Sequence, residues 1–300
     1  MKGRVLLLRA PASDSDDRYE LCLRDKGYDP VCIPVLETVL SNGDELADAV
    51  EGGPNGKEYA GVVITSARAC EAWKRSVRRV LERREVGGGG GGVTWTSTPF
   101  YVVGEATKAA LLDVDEDVRT RGRDLLPEDV RGARQAGTAE TLARFVLDDI
   151  GGASDGPRNR RLLYLTGDKN RDVLPKILAE GGLQLDSLQV YGTRGSSTFP
   201  ADLDSVLASS DPDSRPWWIV FFAPSSAGYT FPFLQQHFAF DDAPTPTLGQ
   251  APRRALAAAI GPTTTAFLKD HLRLSVAVES PKPTAEDLAA AIAAYDEAVQ

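Results

Sequence analysis

The sequence has few of the side chains that most often carry enzymatic chemistry. It contains two histidines, His237 and His271, and three cysteines, Cys22, Cys32 and Cys70, and none of the five lies at metal-ligand spacing. We therefore expect no metal site, and we expect both histidines to be structural or at the surface. An odd number of cysteines without a disulfide pattern is typical of reduced thiols, so we expect a cytoplasmic protein.

Long apolar runs and an excess of positive charge are also missing. No stretch approaches the roughly 20 apolar residues that a membrane-spanning helix needs. The apolar run Val5–Leu8 is too short for a signal peptide. The formal net charge is −9, which argues against non-specific binding to nucleic acid or to an anionic membrane. A small acidic ligand is not excluded, because a local site can oppose the global charge.

Nucleotide-binding and nucleophile motifs are absent as well. Residues 52–57 (GGPNGK) lack the Walker A spacing, and no G-x-S-x-G segment occurs. The glycine run Gly87–Gly92 matches G-x-G-x-x-G, but it follows a predicted helix instead of a strand, so we expect a flexible loop. Asp113, Asp115 and Asp117 imitate a calcium loop without its glycine or terminal glutamate. These absences disfavour a nucleotide-dependent enzyme.

One local pattern recurs along the chain and is clearest in Arg161–Arg194. An apolar run (Leu162–Leu165) predicts a buried strand, and Thr166–Asp168 predicts a polar turn. Apolar residues at helical spacing predict a helix over Asn170–Glu180, and a second strand follows over Leu188–Tyr191. The segment therefore predicts one βαβ unit. In such folds ligands bind at the carboxyl ends of the strands.

The same alternation over the whole chain predicts an α/β fold. Three hundred residues, 42% of them hydrophobic, can form two domains of roughly 150 residues each. Pro34 favours an exit from the first sheet, so Leu36–Leu40 is expected to be one connector and Gly195–Pro200 another. Further strands are predicted over Arg4–Arg9, Val31–Val35, Gly61–Ile64, Phe100–Val103, Val118–Thr120, Trp217–Phe222, Ala255–Ile260 and Ser275–Val278.

Small or hydroxyl-bearing turns follow most of these strands and begin helices. Each such turn presents unpaired N–H groups and the positive end of a helix dipole, which suits an anion. Helix capping alone can explain any single turn, but several turns across two domains predict a cleft for a ligand with many carboxylates or phosphates. The pattern leaves open a cofactor-free polyanion binder or an enzyme that needs little more than positioning. The turns are Thr65–Ser66, Gly104–Glu105, Thr166–Gly167, Ala223–Ser226 and Gly261–Thr264, with Arg9–Pro11 as a looser sixth.

Several blocks of sequence, in a fixed order, resemble those of one enzyme family. The most specific pair is IGPTTTAFL at Ile260–Leu268 followed by AVESPKP at Ala277–Pro283. On these blocks the chain resembles the uroporphyrinogen-III synthase family of tetrapyrrole (haem) biosynthesis. The other blocks are GVVITSARACEA (Gly61–Ala72), FYVVGEA (Phe100–Ala106), GTAETLARF (Gly137–Phe145) and Leu163–Thr193; Gly87–Gly92 and the Pro/Thr-rich stretch Asp241–Gln250 lie outside the pattern.

The resemblance implies two doubly wound parallel-sheet domains, of Rossmann or flavodoxin-like type, joined by a two-stranded connector. The chain would begin in domain 1 (1–35), form domain 2 (43–188) and return to domain 1 (197–300), with connectors over 36–42 and 189–196. It also implies no cofactor, a monomer, and hydroxymethylbilane as the substrate, supplied by the upstream synthase. The reaction implied is a cyclising dehydration that inverts ring D through a spiro intermediate.

The resemblance also implies site residues. Tyr191 matches the family's cleft tyrosine and is the candidate proton donor, because a phenol is protonated at neutral pH; the alternative is that it only packs at a strand end. A non-catalytic two-domain sensor of an anionic metabolite remains the competing hypothesis. The residues expected to bind the substrate are Arg9, Thr65, Ser66, Gly104, Thr138, Gly167, Lys169, Ser225, Ser226, Thr263 and Thr264.

Overall fold

Strands and helices alternate along the chain in the computed structural model, as the sequence predicts. The structure describes residues 2–12, 16–87, 94–151, 160–169, 172–209, 215–240 and 252–299. These divide into unit 1, Met1–Glu37 with Arg194–Gln300, and unit 2, Thr38–Thr193. The predicted loop at Asp241–Gln250 and most of the predicted glycine loop lie outside the described residues.

Unit 1 contains a six-stranded sheet whose pairings are all parallel. The strand order is β10-β11-β9-β1-β2, and β12 also pairs with β11. The strands are β1 (Arg4–Leu8), β2 (Asp29–Cys32), β9 (Trp217–Phe221), β10 (Phe238–Phe240), β11 (Arg253–Ala259) and β12 (Val276–Glu279), and the helices are α1 (Arg18–Asp25), α8 (Phe199–Ala208), α9 (Pro224–Leu234), α10 (Pro262–Asp270) and α11 (Ala285–Val299).

The central strands of this sheet are apolar throughout because helices cover both of its faces. Ile219 and Phe221 of β9 pack in a core with α8, α9 and α10. Trp218 and Val220, which alternate with them along the strand, pack in a second core with α1 and α11. Successive side chains therefore enter opposite layers, which is the doubly wound arrangement expected from the sequence.

Unit 2 has the same architecture, with the strand order β3-β8-β7-β4-β5-β6. The pairings from β8 to β6 are parallel. The elements are β3 (Leu36–Leu40), α2 (Gly43–Gly56), β4 (Tyr59–Ile64), α3 (Ala67–Gly87), β5 (Phe100–Val102), α4 (Gly104–Leu112), α5 (Glu116–Arg121), a 3₁₀ turn (Arg123–Leu125), β6 (Val130–Arg131), α6 (Ala139–Gly151), β7 (Arg161–Gly167), α7 (Val173–Glu180) and β8 (Gln184–Gly195).

The predicted two-stranded connector corresponds to β3 and β8. The boundary between the units falls inside β3, after Glu37, and inside β8, after Thr193. These two strands are neighbours in one sheet. The chain therefore enters and leaves unit 2 through adjacent strands.

The prediction of a strand over Val118–Thr120 is wrong, because these residues lie in α5. The Asp115 carboxylate accepts a hydrogen bond from the Val118 N–H and caps that helix. The predicted strand Val31–Val35 is β2, which begins at Asp29 and ends before Pro34. Helix α7 begins at Val173, and residues 170 and 171 at its predicted start lie outside the described residues.

Hydroxyl side chains and a glycine fix several helix ends. The Thr138 hydroxyl accepts from the Thr141 N–H at 3.2 Å and caps α6. Thr284 accepts from the Asp287 N–H at 3.2 Å and so begins α11. Gly182 follows α7 with φ = +80°, a left-handed conformation that glycine adopts without strain.

Among the residues that the structure describes, every helix is too short or too polar to cross a lipid bilayer. Over the same ranges, no cluster of three or more His, Cys, Asp and Glu residues could hold a metal ion.

Candidate active site

Tyr191 lies near the carboxyl end of β8, beside the turn that follows β4. Its hydroxyl oxygen accepts a hydrogen bond from the Ser66 hydroxyl at 3.2 Å. The Ser66 oxygen also accepts from the Ala69 N–H at 3.3 Å and thereby caps α3. Tyr191 is half-buried against the core of unit 2. The ring is therefore packed, while the hydroxyl stands at the start of a helix, where the dipole favours negative charge.

Gly167 lies against the Tyr191 ring. The two residues are paired across β7 and β8, next to an irregularity in the register after Thr166. A Cβ atom added to Gly167 would lie 2.4 Å from Cε2 of Tyr191. Only glycine leaves space for the ring in this position, so Gly167 determines where the phenol lies.

Asp168 holds β8 at Tyr191 and at Thr193. Its N–H donates to the Tyr191 carbonyl at 3.2 Å, and its carboxylate accepts from the Thr193 N–H at 2.9 Å. Sequence reasoning assigned this residue only to a turn. Its two hydrogen bonds with β8 show that the turn also fixes the backbone of the candidate proton donor.

Arg68 is a second residue that the sequence analysis missed. Its guanidinium lies 5.9 Å from the centre of the Tyr191 ring. The residue is exposed in the first turn of α3, and none of the described carboxylates forms an ion pair with it. The TSAR sequence that carries Arg68 follows β4 directly, which is the signal that could have identified it.

The other predicted residues of unit 2 lie at the same edge of the sheet, because parallel strands place their carboxyl ends together. Thr65 is half-buried and Lys169 is exposed. The Gly104 N–H donates to the Ala136 carbonyl at 2.9 Å, so the free N–H groups of that turn begin after Gly104. Thr138 is exposed, but its N–H and hydroxyl are both engaged by the cap of α6.

In unit 1, Arg9 follows β1 and is held in place by Asp17 and two aromatic rings. Its Nη1 lies 2.6 Å from Oδ2 of Asp17. Its guanidinium carbon lies 4.9 Å from the centre of the Tyr19 ring and 5.5 Å from that of Phe222. The charge of Arg9 is thus compensated within its own unit, although its side chain keeps 28% exposure.

The Asp17 carboxylate organises this corner of unit 1. Burial alone would raise its pKa, but hydrogen bonds from the Ala12 and Glu20 N–H groups and the charge of Arg9 outweigh burial and lower the pKa. The carboxylate is therefore ionised at neutral pH. It both caps α1 and holds the arginine.

The predicted hydroxyl residues of unit 1 divide into exposed and buried pairs. Ser225 and Thr263 are exposed near the starts of α9 and α10, where the first N–H groups lack helical acceptors. Ser226 is 2% exposed and its hydroxyl donates to the Ala223 carbonyl at 2.9 Å. Thr264 is 3% exposed. The exposed pair can therefore meet a ligand, whereas the buried pair serves the packing of the turns.

The fold and these turns define a doubly wound α/β protein with polar helix starts at the carboxyl edge of each sheet. The family profile described as "Uroporphyrinogen-III synthase HemD" matches residues 17–290. The chain therefore belongs to the uroporphyrinogen-III synthase family, a family of cyclising lyases.

Individual relatives carry the same name. The chain is 27% identical to the uroporphyrinogen-III synthase of Saccharomyces cerevisiae, covering 98% of this chain and 97% of that protein. It is 26% identical to that of Schizosaccharomyces pombe, covering 98% of both. Among solved structures, uroporphyrinogen-III synthetase from Helicobacter pylori matches with a TM-score of 0.41 and 13% identity over 96% of both chains.

Proposed function

We propose that this chain converts hydroxymethylbilane into uroporphyrinogen III, with loss of water and inversion of ring D. In this reaction the ring-A hydroxyl leaves and an azafulvenium cation forms. Ring D then attacks through its substituted carbon, and the resulting spiro intermediate fragments and recloses. The pyrroles supply the electrons, so the protein has to assist the departure of water and hold the chain for the inverting closure.

The observation that carries this proposal is the contact between Ser66 and Tyr191. Because the serine donates to the phenolic oxygen, the phenolic hydrogen is left for another acceptor. A substrate hydroxyl in front of Tyr191 can take that hydrogen and leave as water. Positioned proton transfer of this kind contributes about 10²–10⁴-fold to rate.

Carboxylate binding is the second part of the proposal. The substrate carries eight carboxylates, and helix starts bind anions through N–H groups without added positive charge. This explains how a chain with a net charge of −9 can bind an acidic ligand. Positioning of this kind can supply up to roughly 7–11 kcal/mol in favourable cases, and the reaction as proposed uses no cofactor. The residues proposed for carboxylate binding are Thr65, Ser66, Arg68, Lys169, Ser225 and Thr263.

The proposed setting is a cytoplasmic monomer that acts without nucleic acid or membrane. The three cysteines, all free thiols in the structure, support a reducing compartment. The negative net charge supports the independence from nucleic acid.

An isomer assay tests the proposal. Hydroxymethylbilane is generated by its upstream synthase in the presence of the purified chain, and the uroporphyrinogen isomers are then separated. We expect the III isomer in place of the I isomer that forms spontaneously. Formation of the I isomer alone, with tight binding of the substrate, would favour the non-catalytic sensor instead.

A further inference from the structure

Strand β8 carries Tyr191 and continues beyond the end of its neighbour β7. The last residues that the two strands pair are Gly167 and Tyr191, and β7 ends at Gly167. The Asp168 N–H still donates to the Tyr191 carbonyl at 3.2 Å. The regular backbone pairing of β8 with β7 therefore stops at the residue that carries the candidate proton donor.

The Asp168 side chain extends this pairing by one step. Its carboxylate accepts from the Thr193 N–H at 2.9 Å, a bond that the Asp168 carbonyl would accept in a regular parallel ladder. A Cβ atom added to Gly192 would lie 3.6 Å from both Cβ and Cγ of Asp168, so the side chain lies alongside the strand. The backbone and the carboxylate of one residue thus hold β8 from Tyr191 to Thr193.

Thr193 is also the last residue of unit 2. The residues of β8 that follow it are held by unit 1. The Arg194 guanidinium donates to the Glu37 carboxylate at 2.8 Å, and the Tyr229 hydroxyl donates to the Ser196 carbonyl just after the strand at 2.7 Å. One peptide bond therefore separates the last of these contacts in unit 2 from the first in unit 1.

This peptide bond is the place where β8 can bend. A movement of one unit relative to the other is absorbed by a few residues at the ends of elements, and here both neighbours of the bond are fixed to their own units. Without the Asp168 carboxylate, the last fixed point on the unit 2 side would be the Tyr191 carbonyl. Bending would then begin at the tyrosine itself.

We infer that Asp168 is a positioning residue for Tyr191. Its carboxylate confines the bending of β8 to the chain beyond Thr193 and so keeps the phenol beside Ser66. Asp168 acts on the reaction through the tyrosine and takes no proton itself. The inference rests on the proposed function for the role of Tyr191.

Two variants of Asp168 separate its hydrogen bond from its charge. Asp168→Ala removes the acceptor, and kcat should fall about tenfold with KM for hydroxymethylbilane unchanged, because a small displacement of a catalytic group lowers the rate steeply. Asp168→Asn keeps an oxygen that can accept from Thr193, so it should retain most of the wild-type kcat. An equal loss in both variants would show that the charge matters and would overturn the positioning role.

A double-mutant cycle with Tyr191→Phe tests whether Asp168 acts through the tyrosine. In the Tyr191→Phe background, Asp168→Ala should change kcat by less than about twofold, since no phenolic hydroxyl is left to position. A tenfold loss in both backgrounds would overturn the inference, because Asp168 would then have an effect of its own.

Amide hydrogen exchange tests the bond to Thr193 without turnover. The Thr193 amide should exchange about fivefold faster in Asp168→Ala than in the wild type, the equivalent of one lost hydrogen bond of about 1 kcal/mol. Asp168→Asn should exchange like the wild type. Asp115→Ala is the matched control, because that carboxylate accepts from the Val118 N–H at the same distance of 2.9 Å. It should change neither kcat nor the exchange at Thr193.

The exchange and the isomer assay can fail separately. Unchanged exchange at Thr193 in Asp168→Ala would overturn the positioning role even in an active chain. Faster exchange in that variant, with a wild-type chain that forms no III isomer, would overturn the proposed function and leave Asp168 as a residue that only holds the strand.

Discussion

Ser66 and Tyr191 are 125 positions apart in the sequence and share a hydrogen bond of 3.2 Å. The same serine oxygen accepts the Ala69 N–H that begins α3. One hydroxyl group therefore fixes both the start of a helix and the oxygen of the candidate proton donor. Any change that moves this turn also moves the phenol.

The first prediction concerns Tyr191→Phe. Removal of the phenolic hydroxyl should lower kcat about 10²-fold or more, since proton transfer to the leaving hydroxyl is lost. The ring stays packed, so the free energy of unfolding should fall by only about 1 kcal/mol for the lost bond with Ser66. Stopped assays of isomer formation and urea denaturation measure the two quantities. Full turnover in the variant would remove Tyr191 from the mechanism and leave the fold unaffected.

The second prediction concerns Gly167→Ala. The new Cβ would meet the Tyr191 ring at 2.4 Å, so the ring must move, at a cost of about 1–3 kcal/mol. We expect kcat to fall at least tenfold as the phenol leaves its position beside Ser66.

A glycine with free space around it is the control for this variant. Gly52 lies in α2, and an added Cβ there would contact nothing within 4 Å. Gly52→Ala should leave kcat unchanged and should stabilise the chain by up to about 1 kcal/mol, because alanine restricts the unfolded chain more than glycine does. If the two variants behave alike, the contact of Gly167 with the ring has no functional consequence.

The third prediction concerns Asp17→Asn and its dependence on pH. Asparagine can still cap α1, but it cannot accept the bonds from the Ala12 N–H and the Arg9 guanidinium. At pH 7 the variant should be less stable than the wild type by about 1–3 kcal/mol.

Acid should reduce this difference. The pKa of Asp17 is lowered from its ordinary value of 3.8, so the stabilisation from its ionised form is complete above that value. It is lost as the pH falls from 3.8 through the lower pKa of the folded state. Urea denaturation between pH 3 and pH 7 measures the convergence. A constant difference over this range would show that the charge of Asp17 contributes nothing.

The fourth prediction concerns Cys70. Burial raises the pKa of its thiol to about 12, and the side chain is 0% exposed. Since the thiolate is the reactive form, iodoacetamide at pH 8 should label the Cys70 peptide only after the chain has been unfolded. Mass spectrometry of native and unfolded samples compares the two rates. Rapid labelling of the native chain would contradict the buried, inert thiol.

Most of the strands could be predicted because both faces of each sheet are covered. A strand such as β9 is then a continuous apolar run, which the sequence displays directly. The same reasoning fails in short polar segments. Val118 is the one buried residue of α5, so the segment has no helical period to detect, and its only signal is the capping residue Asp115.

The candidate site was predicted less completely than the fold. Turns after strands can be identified from sequence, and they contain Ser66 and Gly167. The sequence alone could not show that Ser225 is exposed and Ser226 is buried. The two side chains have the same chemistry, and they differ only in the direction in which the helix start points them. The sequence could have suggested Arg68 only through its place in the TSAR segment after β4, and its position 5.9 Å from the centre of the Tyr191 ring is visible only in the folded chain.

The adjacency of β3 and β8 means that unit 2 could be gained or lost as a single piece during evolution. Because the two ends of the inserted unit lie side by side in one sheet, a gene segment encoding Thr38–Thr193 could enter or leave a host gene with little loss of loop-closure entropy. The protein that receives the inserted unit needs only one surface loop at the place of insertion. Either half of the chain could thus have had an independent ancestry.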